Sequence, residues 1–440
     1  MYCRNLLILL FGLLLQPGHQ ALGQTPPVRI LAYDIKFGLD MPNGQILVLA
    51  ELKVEKVKTA QKLDMSLTSR AQIASVRARA AEQWFTMSHQ SSLQDAVSLI
   101  VPPELKSSAK LTLELKYAIP VGEMKGNVMI LDRGHRWYPL IVDQIAPFKL
   151  TAQVPPGFQV LAVGDLVVQE ITDDYSEFVW QSRIPVFKVS LVIARPGLFK
   201  ETVKECSGKK VYFYSPEDSL DTNTKLVTGA CDMLRFYHRL LGDYPHERLT
   251  IVDIAGLQGA NIATGLIMLG SAGVEQSAGG DGGPLALAIA AQWIGAGVFP
   301  RYQSKGFWFL QISLPYYLRL MNLRETQGEE AFAKDLNRSL DAYRQIAGSN
   351  KDVPILDIDA IDSNEKGRAI YGKGPYIIDR LVQQIGSDNW EKLLKAIYRN
   401  FKGRIFTYDD FIRYLSKYDP DGSAVKTLNK MVTETGLPEE

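Results

Sequence analysis

The chain has 440 residues, 49 Lys and Arg against 48 Asp and Glu, with 46% hydrophobic and 22% charged side chains. That length carries two or three domains with full cores, and the balance is that of a folded protein rather than a disordered one. Its near-neutrality argues against a nucleic acid or an anionic membrane as partner.

In chain order, Arg4 precedes the apolar run "LLILLFGLLL" (6–15), followed by the breaker "QPG" and the small-residue site "ALG" ending at Gly23. This order is that of a secretory signal peptide over residues 1–23, so the mature protein is expected to be secreted or periplasmic. Cys3 lies ahead of the apolar run and is not placed to carry a lipid. The mature chain has no apolar stretch of the roughly 20 residues that a transmembrane helix needs.

Residues 24–200 alternate apolar and polar positions between turns, as in "RILAYDIKFGLD", "QILVLAELKVEKV" and "KLTLELKYAI". The pattern predicts an antiparallel β-sandwich of short strands. After about residue 200 the period changes. "KKVYFYS" and "RLTIVDI" still read as strands, but "NTKLVTGACDMLRFYHRLLG" has apolar period 3.6 and stops at Gly242. Helical patterns continue through "PYIIDRLVQQIG", "NWEKLLKAIYRNFKG" and "YDDFIRYLSKY", so 201–440 is a second, α+β and mainly helical domain. "SAGGDGGP" (277–284) reads as a flexible loop, and "ETGLPEE" as a frayed end. Two cysteines remain after the signal peptide, Cys206 and Cys231; a disulfide and two separately buried thiols are both open readings.

Motifs of chemistry are sparse. There is no GxSxG and no CxxC. "GRAIYGKG" (367–374) has GxxxxGK, but Gly374 stands where a phosphate loop needs Ser or Thr, and no hydrophobic strand precedes it. "DIDAID" (357–362) and "DPDG" (419–422) lack the remaining ligands of a calcium loop and read as turns and caps. Outside the signal peptide, His89, His135, His238 and His246 stand at no metal-binding spacing. The feature that stands out is "LALAIAAQWIGAGVFP" (285–300), uncharged and bounded by Pro284 and Pro300. Too short to span a bilayer, it is expected to be a helix buried in protein.

Several segments in order resemble the zinc aminopeptidases related to alanyl aminopeptidase and leukotriene hydrolase. "ILDRGHRWYPLIVD" and "RIPVFKVSLVIARPG" are similar to their N-terminal sandwich. "LLGDYPHERLTIVDIAGLQGANIATGLIML" resembles the approach to their GxMEN substrate loop, "AAQWIGAGVFP" the end of their zinc helix, and "AIYGKGPYIIDRLVQQIG" their "YEKG" helix. The resemblance implies a sandwich followed by a thermolysin-like catalytic domain.

It also implies what is missing. Family members hold zinc with HExxH and a later Glu, two histidines one turn apart facing one tetrahedral metal. The matching positions here carry Leu287 and Ala291 for the histidines, Ala288 for the general base and Leu310 for the third ligand. No shift of alignment restores them, because residues 282–324 contain no Asp, Glu, His or Cys. In the substrate loop, Gly259, Ala260, Asn261 and Ile262 replace the family pattern, with Ile262 where a Glu would hold the substrate's amine. Tyr371 matches the tyrosine that supports the oxyanion.

The expectation is thus a non-catalytic, cofactor-free protein binding a peptide, a protein partner or an apolar ligand. Two alternatives stand beside it. One is a hydrolase of zinc-independent mechanism that keeps Tyr371 and recruits groups such as Asp253, His246 or Asp281. The other is a scaffold whose sandwich makes the functional contacts.

Overall fold

The structure, a computed structural model, describes residues 28–437 except 58, 59, 123, 125, 126, 218, 282 and the side chain of 281. The expected signal peptide lies outside the described residues. The chain forms two compact units, one running through residue 200 and including 263–266, the other made of 201–262 and 267–440.

The N-terminal unit is β throughout. Val28–Asp40 and Gln45–Lys56 form a long hairpin, Lys110–Pro120 pairs beside it, and the sheet extends to eight strands. Turn chemistry starts the hairpin: the Asp40 carboxylate accepts from the backbone N–H and side-chain amide of Asn43 (3.2 and 2.8 Å), and Gly44 takes a left-handed φ of 62°. Alternation then decides the faces, with Ile46, Val48, Ala50, Leu52 and Val54 buried at every second position. One pairing departs from the expected antiparallel order. Val28–Asp40 runs parallel to Phe148–Val154, Tyr33 opposite Phe148. The long intervening chain lets the strand return in the same direction. Two three-stranded sheets complete the sandwich, and Trp137 and Trp180, both fully buried, donate their indole N–H to the carbonyls of Val189 and Val160 (3.2 Å each).

The C-terminal unit opens with a five-stranded sheet in which Lys209–Ser215 and Arg248–Ile254 run parallel. Helix Leu220–Leu241 lies against strand Lys209–Ser215 and neighbouring helices, buries Leu226, Val227, Ala230, Leu234 and Tyr237 as a 3.6-residue stripe, and stops at Gly242 (φ 113°). Cys206 at the end of strand Lys200–Cys206 and Cys231 in this helix form a disulfide, with Cα atoms 5.5 Å apart. Within the stretch read as a flexible loop, Ser277–Asp281 is a π-helical turn that continues helix Ser271–Gln276, and Gly283 and Pro284 open helix Gly283–Ala290. Ser277 holds it by donating to the Gly273 carbonyl (2.6 Å) and accepting from the Leu285 N–H (3.3 Å).

The remaining helices meet at one close crossing. A π-helical turn, Phe309–Ser313, leads into helix Leu314–Gln327, and a second, Ala369–Lys373, leads into helix Gly374–Ile385. Each wide turn precedes a proline, Pro315 or Pro375, whose missing N–H would break an ordinary α-turn, and the helix continues past each of them. The two segments touch at Gly374, where a Cβ would lie 2.0 Å from Ser313 Oγ and 2.5 Å from Ser313 Cβ. Ser313 in turn donates to the Ile370 carbonyl (2.7 Å). Around the crossing, Tyr317, Trp390, Phe411 and Phe309 follow one another edge to face at 6.0 to 6.5 Å.

Nor is the end of the described chain frayed. Lys373, fully buried, donates to the Glu434 carbonyl (2.5 Å) and lies 5.5 Å from the Tyr343 ring. Buried Asp352 accepts from the Gly436 N–H (2.6 Å) and the Tyr343 hydroxyl (2.7 Å). The two acidic motifs are caps and turns. Asp419 accepts from the N–H groups of Ala424 and Val425 (3.1 and 2.8 Å), and Asp359 and Asp362 both pair with Lys366.

Two outcomes follow for denaturant unfolding. Gly374→Ala is expected to lose about 1–3 kcal/mol by overpacking, and adding Ser313→Gly should return part of it; a Gly374→Ala protein as stable as wild type contradicts the crossing. Opening the Cys206 to Cys231 bridge, a separation of 25 residues, should lower stability by about 3 kcal/mol. A reductant should have no such effect on the Cys206→Ala/Cys231→Ala protein; equal curves for wild type with and without reductant would count against the bond.

Candidate functional site

The apolar run 285–300 is helical only in its first half. Helix Gly283–Ala290 begins beside Pro284. Ala291 still donates to the Leu287 carbonyl (3.0 Å), but Gln292 and Trp293 close tighter turns onto Ile289 and Ala290. Two glycines then turn the chain. Gly295 has φ 123°, and a Cβ at Gly297 would lie 2.5 Å from the Gln292 carbonyl oxygen. The run leaves as the short strand Phe299–Pro300, parallel to Ile405–Phe406. The expectation of a single buried helix is thus corrected to a short helix and a glycine turn, with burial intact.

Trp293 anchors this turn. Its indole N–H donates to the Gly242 carbonyl (2.9 Å), and its ring packs against Tyr237 and Tyr244 at 5.4 and 5.3 Å. Leu287 and Ala291, one turn apart, are both buried, as are Ala288, Leu310 and Ile262, the most exposed of the five being Ile262 at 6%. Ala288, Ala291, Leu310 and Ile262 belong to one continuous apolar core. Ile262 and Ala260 lie in strand Ala260–Ala263 at the edge of the five-stranded sheet, entered through Gly259 at φ 73°. Asn261, between them, is half-buried.

Leu310 and Tyr371 sit in the two π-helical turns that meet at the Ser313 and Gly374 crossing. Tyr371 is half-buried, its ring edge-on to Tyr316 at 5.8 Å, and the Tyr316 hydroxyl shares a hydrogen bond with Ser339 Oγ (2.9 Å). Burial, helped by the neighbouring Tyr316, pushes the Tyr371 hydroxyl well above the ordinary phenol range. It is a protonated donor at neutral pH and cannot serve as a base.

The groups named for an altered hydrolase are engaged or undescribed. Asp253 accepts from Ser271 Oγ (2.6 Å) and Ser215 Oγ (3.2 Å), and burial raises its carboxyl above the usual range. His246 is buried with its ring 5.8 Å from that of Tyr244. The side chain of Asp281 lies outside the described residues.

Comparison with solved structures gives consistent matches at low identity. An M1 zinc metallopeptidase from Deinococcus radiodurans superposes with TM-score 0.73 at 16% identity, over 94% of this chain and 95% of that one. A glutamate-to-alanine mutant of an M1 zinc metallopeptidase from that organism, bound to a Tyr-Ser-Ala substrate, gives 0.71 at 15% over 94% and 96%. A two-domain M1 zinc metallopeptidase mutant bound to L-tryptophan gives 0.74 at 16% over 96% and 98%. The fold is that of the two-domain M1 zinc metallopeptidases. No family model and no curated protein sequence matches the chain.

The zinc of the M1 fold does not fit the residues in question. Protein zinc takes nitrogen, oxygen or sulfur donors at about 2.0–2.3 Å, and Leu287, Ala291 and Leu310 offer hydrocarbon. Among the described residues, no three His, Cys, Asp or Glu side chains gather where they could hold a metal ion.

Sequence reading overlooked two features of this M1-like half: the buried Lys373 and a basic cavity considered below. Buried tyrosines supply a test. Burial raises Tyr237, Tyr317, Tyr343, Tyr371 and Tyr398 above the ordinary phenol value. The stability they contribute is complete below about pH 10, where the unfolded groups are still protonated, and is lost as pH rises through the folded values. The urea midpoint should therefore fall towards about pH 11, and fall less in Tyr371→Phe; identical pH profiles for the two proteins would contradict the raised Tyr371.

Proposed function

We propose that this chain is an exported, non-catalytic protein on the M1 metallopeptidase fold, which binds a peptide, a protein partner or an apolar ligand where catalytic relatives would cleave. The observation that carries the reading is the hydrocarbon at Leu287, Ala288, Ala291 and Leu310, all buried. A zinc site with one ligand removed would strand a buried imidazole or carboxylate, costing about 1–3 kcal/mol or more per group. Replacing every member with an apolar side chain avoids that cost, and the four replacements are consistent with one another.

The substrate side agrees. Ile262 offers no carboxylate to a free amine, so recognition of a peptide's N-terminus has no anchor there. Tyr371 keeps a hydroxyl that could face a carbonyl, but an oxyanion donor lowers a barrier only where a nucleophile attacks. A peptide is the favoured ligand class, because a neighbour of the same fold holds a Tyr-Ser-Ala substrate. The N-terminal apolar run supports export, and no described helix is long and apolar enough to cross a membrane.

Metal analysis of the purified protein is the direct test. Wild type should carry no stoichiometric zinc, whereas Leu287→His/Ala288→Glu/Ala291→His/Leu310→Glu should bind one zinc that a chelator removes. Chelator-removable zinc at one per wild-type chain would overturn the proposal. A folded quadruple variant without zinc would overturn the matching of positions. Aminopeptidase, endopeptidase and esterase substrates should show no turnover; turnover abolished by Tyr371→Phe would establish an enzyme instead.

A further inference from the structure

Where the helices Leu220–Leu241 and Ser387–Phe401 end, a cavity of about 550 Å³ opens to solvent. Its charge is mostly basic, with Asp243 the one carboxylate among the lining residues. Helix Ser387–Phe401 gives its buried face, with Trp390, Leu393, Leu394 and Ile397, to the core. Lys392, Lys395 and Arg399 stand on the exposed side, and Lys402 follows directly. These four occupy i, i+3, i+7 and i+10, a single stripe. Arg239 and His238 reach the same cavity from the other helix.

Part of this charge is answered locally. Arg239 pairs with Glu325 (2.9 Å), Lys395 with Glu391 (3.8 Å) and His238 with Asp243 (3.1 Å). Lys392, Arg399 and Lys402 form no ion pair among the described residues; Lys402 only lies 5.7 Å from the Tyr398 ring. A solvated face with cations beside helix C-termini is the plain explanation, but the magnitudes fall short of it. Two helix ends contribute about half a negative charge each, and with the Asp243 carboxylate counted against the three unpaired cations an excess on the order of one positive charge remains. A recess with low-dielectric walls focuses such an excess.

Those walls are already in place. The Tyr398 hydroxyl donates to the Asp243 carbonyl (2.8 Å) and the Tyr418 hydroxyl to the Lys392 carbonyl (3.4 Å), so both rings are oriented before anything binds. The volume falls within the range of small-molecule sites. Lysines supply point charges, and Arg399 supplies the planar fork that suits a tetrahedral oxyanion.

We infer that this cavity binds a small anion of the phosphate type. The anion is either a soluble phosphate compound or the headgroup of an anionic lipid, and the inference does not depend on the non-catalytic reading above. Calorimetric titration of the full chain with inorganic pyrophosphate tests the first source. Co-sedimentation with phosphatidylglycerol vesicles, against phosphatidylcholine vesicles, tests the second. In at least one arm, saturable and salt-sensitive binding is expected, weakened about tenfold or more by Lys392→Glu/Arg399→Glu. Arg70→Glu, an exposed cation in the other unit, should leave it unchanged. Unchanged thermal unfolding certifies each variant, and Lys392→Ala/Lys402→Ala replaces the charge reversal if that protein unfolds. No saturable binding in either arm overturns the inference, as does binding that ignores the cavity variants or falls equally with Arg70→Glu.

Discussion

The C-terminal half depends on one contact made closer than a methyl group allows. Gly374 lets its helix lie directly on Ser313, whose hydroxyl is taken by the Ile370 carbonyl of the same crossing. The π-helical turns on both sides place Leu310 and Tyr371 one turn from the contact, and the edge-to-face chain of Tyr317, Trp390, Phe411 and Phe309 packs around it. Widened turns of this kind are frequent at functional sites. Here they carry Leu310 and the protonated Tyr371.

That combination places an apolar lining inside the M1 fold. Buried polar groups are costly singly and tolerable in complete sets. Leu287, Ala288, Ala291 and Leu310 are all buried and bring no polar side chain that needs a partner, and Trp293 holds the turn beside them through Gly242. Nothing at these positions needs a metal to be stable.

Much of this was legible in sequence. Alternation located the strands, Gly242 marked the end of a helix, and the uncharged run 285–300 announced its burial. What escaped reading depends on geometry between distant segments. Alternation is the same whether a neighbour runs parallel or antiparallel, so the pairing of Val28–Asp40 with Phe148–Val154 had no local signal. Gly295 and Gly297 sat in plain view, yet a period of 3.6 does not say where a helix gives way to a turn. Ser277 turned an apparently flexible stretch into a helical one through two hydrogen bonds that composition does not encode. The pairing of Cys206 with Cys231 needed the strand and helix to meet. The helical period placed Lys392, Lys395 and Arg399 in one helix, but that Arg239 and Lys402 join them around one cavity had no signal in the sequence.

Lys373 has a consequence for the order of events during synthesis. Its ammonium finds the Glu434 carbonyl 61 residues downstream, while Asp352 waits for the Gly436 amide. A nascent chain that has emerged only through the preceding helices would have to bury a cation without that acceptor. Residues 434–436 thus tie the end of the described chain to the buried Lys373 and Asp352, and the ammonium's acceptor comes from the far end of the helical half rather than from its own helix.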